Sequence, residues 1–189
     1  FMKNNKLKIL LAAAEVTPIA KVGGLGDVVG ALPKALAKLN LDIRVIMPFY
    51  GAIDRHQYQI KQIKQNIKVG AETVNLWQTN LPNSAGPVYL IEHSLFKSKQ
   101  ICGSTPADSS LDIKKFIFFS RAILASVKVI NFMPDVIHLN DWHTAIVSEL
   151  LKTDPFFARA KTLLTIHNLA NQGIIGSKNL LADGILNAN

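Results

Sequence analysis

A single cysteine, Cys102, excludes an intramolecular disulfide and fits a reducing compartment, which points to a cytoplasmic protein. Nothing near it in sequence forms a nucleophile and base pattern, so the thiol reads as a bystander. Charged residues make up only 18% and aromatics 7% of the chain, against 49% hydrophobic residues. That balance suits a packed domain and excludes a disordered chain. No apolar run approaches the ~18 residues of a membrane span, so no membrane partner is expected. Internal repeats, linkers and low-complexity tracts are missing too, and the 189 residues read as one good-sized domain.

Acidic residues are the scarcer sign, 13 Asp and Glu against 21 Lys and Arg, which leaves a net charge of +8 and a pI near 9.6. Such an excess favours anionic partners. The cations are scattered, with loose clusters only at Lys3, Lys6, Lys8 and at Arg55, Lys61, Lys64, Lys68, and few aromatics lie among them. This is a solvated surface rather than a nucleic-acid stripe, and an anionic nucleotide sugar suits the charge equally well.

The N-terminus imitates a secretory signal, because lysines precede Ile9-Leu10-Leu11-Ala12-Ala13-Ala14. The apolar stretch is about six residues, shorter than the roughly 7–15 of a signal core, and it runs directly into a glycine loop. It is read instead as a buried first strand at 8–14, with Phe1 ahead of Met2 set aside as a cloning remnant. A helix is expected at 26–39, with Val28, Val29, Leu32, Leu36 and Leu39 on its apolar stripe and Pro33 within its first two turns. A strand at 42–47 closes a βαβ unit. Antiparallel strands are expected within 57–79, a strand at 87–92, a loop at 97–110 and a long helix at 112–131. A strand at 135–140, a helix at 144–151 and a strand at 161–166 make another βαβ unit, and the pattern fades after Gly176. The fold class is therefore α/β, an open, doubly wound, mostly parallel sheet whose ligands lie beyond the carboxyl ends of the strands.

Three polar constellations follow apolar strands. In Lys21-Val22-Gly23-Gly24-Leu25-Gly26-Asp27, bare glycines let the backbone approach a ligand, and the following helix N-terminus favours a phosphate or a sugar oxygen. The spacing of Gly24, Gly26 and Gly30 is not that of a dinucleotide fingerprint, and no acid closes the strand at Ile46-Met47. The blander alternative is that these glycines only pack helix on strand. Asp141-Trp142-His143 and His167-Asn168 fall on the same edge, where loop residues bind ligands, although Asn168 could equally serve to cap a turn. His138, Asp141 and His143 are chemically suited to a metal, but their spacing does not require them to converge, so neither metal nor cofactor is expected. His138 is expected buried and hydrogen-bonded, and His56 and His93 structural or at the surface.

At these residues the chain resembles the bacterial glycogen synthases and plant starch synthases. The matching pieces are Glu15-Val16-Thr17-Pro18, the loop from Lys21 to Val28, Gly30-Ala31-Leu32-Pro33, Asp135-Val136-Ile137-His138, Asn140-Asp141-Trp142-His143 and Thr165-Ile166-His167-Asn168-Leu169-Ala170-Asn171-Gln172-Gly173, in family order. The resemblance implies the Rossmann-like N-terminal half of a GT-B glycosyltransferase, spanning 1–189 as a single acceptor-side domain, with the second domain outside this chain. It implies retaining transfer of glucose from ADP-glucose to the non-reducing end of an α-1,4-glucan, in which Lys21, Gly23, Gly24 and Asp27 meet the donor. His167 and Asp141 would be the catalytic positions, and Trp142, His143 and Asn168 would meet the acceptor. One segment departs from the family: a Tyr-x-Asp-Asn-x-x-Arg-Phe stretch is replaced by Ser109-Ser110-Leu111-Asp112-Ile113-Lys114-Lys115-Phe116, which implies altered acceptor contacts. The competing expectation is a non-catalytic carbohydrate- or nucleotide-binding module from a degraded synthase gene.

Overall fold

The structure, a computed structural model, describes residues 6–82, 86–102, 106–174 and 176, without the side chains of 106–109. Lys3, Ser109 as a side chain, part of the expected loop at 97–110 and the tail after Gly176 lie outside the described residues. The elements run β1 (Lys8–Ala12), α1 (Gly24–Ala37), β2 (Asp42–Pro48), β3 (Lys61–Val69), β4 (Glu72–Asn80), β5 (Pro87–Glu92), α2 (Pro106–Val129), β6 (Val136–Asn140), α3 (Trp142–Ala145), α4 (Val147–Leu150) and β7 (Lys161–Thr165).

The strands form one sheet in the order β3-β4-β5-β2-β1-β6-β7. Pairings β5-β2, β2-β1, β1-β6 and β6-β7 are parallel, whereas β3-β4 and β4-β5 are antiparallel. This is the doubly wound α/β fold read from the sequence. β1 lies between β2 and β6 and is buried almost along its length, which explains its unbroken apolar run. The chain leaves β1 toward β2 on one side and returns to β6 on the other, so the carboxyl ends of β1 and β6 form the topological switch point. Among the described residues, no helix is long and apolar enough to cross a membrane.

Several boundaries differ from the sequence reading. α1 starts two residues early, and Pro33 falls in its third turn, buried, with the helix continuing to Ala37. The face it buries is Leu25, Gly26, Val29, Gly30 and Pro33, while Val28 and Leu39 are exposed. The cause is a close approach: a Cβ on Gly30 would lie 2.4 Å from the Thr17 carbonyl oxygen, so the glycine side is the one that packs. α2 begins at Pro106, since proline suits a first helical turn where its missing N–H is not needed. It ends in a Schellman motif: Asn131 is left-handed with φ 51°, and the Asn131 and Phe132 N–H groups donate to the Lys128 and Val127 carbonyls. The helix expected at 144–151 is two short helices beginning at Trp142.

Gly30→Ala should lower stability by about 1–3 kcal/mol, a fall in Tm of roughly 2–12 °C, because backbone rather than a movable side chain blocks the methyl group. Gly24→Ala, which meets nothing within 4 Å, should leave Tm nearly unchanged. Thermal melts followed by circular dichroism check the pair, and equal melting of the two variants would contradict this packing.

Candidate functional site

The switch point opens into a crevice of about 620 Å³, a size suited to a small-molecule ligand. Gly23 and Gly24 form one wall, and Asp141, His143, His167 and Asn168 form the other. Lys21, Asp27 and Trp142 stand outside this lining.

The glycine wall is organised by an acid to which the sequence reading gave no role. Glu15, buried just past β1, accepts the N–H groups of Val22 and Gly23, the latter at 3.0 Å. Its carboxylate therefore occupies the Gly23 N–H, which the sequence reading left to a ligand, together with that of Val22. The first-turn N–H groups of α1, from Gly24 onward, have no intrahelical acceptor, receive no side-chain cap from Gly23 and form the positive end of the helix dipole. An acid shortly before a glycine-rich helix start was the signal for Glu15, since such a turn presents N–H groups that need an acceptor. Lys21 and Asp27 pair with each other at 2.6 Å, both about half exposed, and the Thr17 hydroxyl donates to the other Asp27 oxygen. The hydrogen bond from Lys21 chiefly holds the Asp27 carboxyl below its ordinary pKa.

The opposite wall is set by the end of β6. Asn140, fully buried, donates its amide N–H groups to the carbonyls of Ala12 at 3.1 Å and His138 at 3.4 Å. These bonds fix the amide orientation, so Oδ1 is the atom that faces His167 Nε2, 3.0 Å away. An amide oxygen only accepts, so His167 carries its proton on Nε2 and, when neutral, keeps Nδ1 as an acceptor. The backbone N–H of His167 donates to Asp141 Oδ1 at 2.6 Å. Asp141 has φ 57°, unusual for a residue other than glycine, and its own N–H donates to the Thr165 carbonyl. Asn140 was missed because an Asn closing a buried strand has the same sequence appearance as a turn residue.

His138 is buried and its Nε2 lies 2.7 Å from the Thr165 hydroxyl; burial first, and then the neighbouring His167, lower its pKa. His143 stacks on Trp142 with ring centroids 4.3 Å apart, and both rings meet the edge of Phe116. Trp142 is further locked by Gly173, where a Cβ would come within 2.2 Å of its ring. Burial pushes the His143 pKa down to about 4. Its Nε2 lies 3.4 Å from Cys102 Sγ, a contact invisible in sequence because 41 residues separate the two. Burial raises the Cys102 thiol to about 11, so the pair is neutral on both sides near pH 7 and lacks a thiolate nucleophile. The candidate metal ligands turn to separate partners: His138 to Thr165, Asp141 to His167, His143 to Cys102. Among the described residues, no group of three or more His, Cys, Asp or Glu side chains could hold a metal ion.

A family profile for the starch synthase catalytic domain matches residues 8–188. Glycogen synthase 1 of Geobacter metallireducens is 40% identical over 178 residues, which is 89% of this chain and 36% of the relative. Glycogen synthase of Syntrophotalea carbinolica is 39% identical over 188 residues, 95% of this chain and 38% of the relative. A solved structure, the catalytic domain of starch synthase IV from Arabidopsis thaliana bound to ADP and acarbose, superposes with a TM-score of 0.81 at 29% identity, covering 93% of this chain and 37% of that one. The chain thus spans little more than a third of the length of these relatives. With the profile covering nearly the whole chain, this protein belongs to the starch synthase catalytic domain family.

Proposed function

We propose that this chain is the N-terminal, acceptor-side domain of a retaining glucosyltransferase that moves glucose from ADP-glucose to the non-reducing end of an α-1,4-glucan. The supporting observation is the crevice, in which an uncapped helix N-terminus faces a histidine whose tautomer is held by Asn140. The ADP and acarbose bound to the Arabidopsis relative support a nucleotide and a sugar as the two ligands.

As the bond between the anomeric carbon and the diphosphate breaks, negative charge gathers on the leaving group and positive charge on the sugar ring. The N–H groups opening α1 and their dipole favour the first. Lys21 adds a cation by exchanging Asp27 for the diphosphate, and Asp27 then turns to the sugar. The Asp141 carboxylate, already oriented by the His167 N–H, faces the second charge. His167 Nδ1 accepts a sugar hydroxyl near the anomeric carbon, and Asn168, His143 and the Trp142 edge behind it receive the acceptor glucan. A second Rossmann-like domain closes the crevice and brings the remaining cations.

Because that half is needed, the 189-residue chain alone should show no glucosyl transfer, while the full-length protein should elongate a glucan primer from labelled ADP-glucose. Elongation by the purified chain alone would refute the division of labour. In the full-length protein, transfer should persist in EDTA, since helix dipole and lysine neutralise the diphosphate. A loss of rate that Mg²⁺ or Mn²⁺ reverses would restore a metal to the site.

His167→Ala in the full-length protein should lower kcat by roughly two to four orders of magnitude, about 3–5 kcal/mol, with a small change in donor KM. The histidine meets the sugar chiefly as the bond breaks, so its loss acts on the transition state. Lys21→Ala should raise KM for ADP-glucose instead. Steady-state kinetics of the two folded variants decide between this assignment and a turn-stabilising role for His167.

A further inference from the structure

We infer that Lys115 is a positioning residue for the crevice, clamping the Ile101–Cys102 wall to α2 and so setting the gap between Cys102 and His143. The inference rests on the proposed function only in what the crevice is for.

Residues 97–102 carry neither strand nor helix, so their carbonyl and N–H groups depend on partners elsewhere. Ser98 is tied to the Gly51 N–H at 3.2 Å. Further along, the Lys115 ammonium reaches the Ile101 carbonyl at 2.5 Å and, at the same distance, Asp112 Oδ1. Both charged side chains are about 10% exposed or less. A buried ion pair is a poor source of stability compared with two apolar side chains, so its use here lies in directing a donor at one carbonyl. The next residue, Phe116, sets its ring against both Trp142 and His143. A single turn of α2 therefore fixes both partners of the 3.4 Å contact between Cys102 and His143. These are residues of the segment that departs from the family stretch, and here they form one buried unit.

The chain's sole thiol reports on the clamp. Charge and position predict opposite signs when Lys115 is removed. The Lys115 charge draws the Cys102 pKa down, against Asp112 and Glu15 which raise it, so losing the charge alone would make the thiol less reactive. Cys102 is exposed on one side already; releasing the wall carries its sulfur away from His143 and α2, lessens the packing that chiefly raises its pKa, and makes it more reactive.

The test is the rate at which the 189-residue chain reacts with a chromogenic aromatic disulfide at pH 8, well below Tm. Lys115→Met should react at least about tenfold faster than the unaltered chain, and Lys115→Arg, which can still reach the carbonyl, should restore the slow rate. Val127→Ala, buried further along the same helix, should lower Tm without speeding the thiol. If Lys115→Met fails to fold, the double variant Asp112→Asn, Lys115→Met is compared with Asp112→Asn alone, so that loss of the Asp112 charge cancels, and should likewise react at least about tenfold faster than that parent. A folded variant lacking Lys115 that reacts no faster than its parent with Lys115 overturns the clamp, as does equal acceleration by Val127→Ala. Absence of glucosyl transfer by the full-length protein would count against the proposed function and leave the clamp standing.

Discussion

The crevice depends on how β6 ends. A strand that stopped at Asn140 in ordinary extended geometry would carry the next side chain onward with the sheet. Instead Asp141 turns at φ 57°, a conformation that costs on the order of 1–3 kcal/mol outside glycine. The surrounding bonds hold it there. Its N–H remains in the ladder with Thr165, its carboxylate takes the His167 N–H, and the preceding Asn140 ties β1 to His167 through one buried amide. Strand end, tautomer and backbone direction are thus set together, and disturbing any one of them moves the others. A strained residue in such a cluster is spent on aiming groups rather than on stability.

Across the crevice the problem is electrostatic. A helix N-terminus draws acceptors, and the buried Glu15 carboxyl group provides them for the N–H groups that lie just before the helix begins. The loop is thereby tied down by the protein's own groups, while the first-turn N–H groups of α1 keep no intrahelical acceptor. Groups already oriented need no reorganisation as charge develops, which is where fixed dipoles outperform water.

Much of this was legible in the sequence because it depends on local pattern. An unbroken apolar run identified β1 and shorter apolar stretches identified β2, β5, β6 and β7, and the residues that follow three of these strands supplied both walls of the crevice. What escaped had non-local causes. The apolar stripe assigned to α1 included Val28 and Leu39, because side-chain periodicity takes no account of a helix that approaches Thr17 through Gly30. The start of α2 was hidden under a composition that reads as a loop, with Pro106 as its true marker. Asn140 and Cys102 meet partners that only the folded sheet brings near, whereas Glu15 had a local signal in the glycine turn that follows it.

The placement of Lys21 follows from the same electrostatics. A free lysine at the mouth of the crevice would be fully hydrated, and a buried one would bear a desolvation cost in the absence of ligand. Paired with Asp27 at an exposed position, it has neither difficulty, since exposed ion pairs are weak and readily exchanged. Under the proposed function a diphosphate carries more charge than one carboxylate, and it arrives at the helix N-terminus whose first turn already holds Asp27. On that reading Lys21 would gain by moving from Asp27 to the ligand, and the carboxylate it leaves would accept a sugar hydroxyl. A pair that stands just outside the crevice lining would then join the site without any rearrangement of the fold.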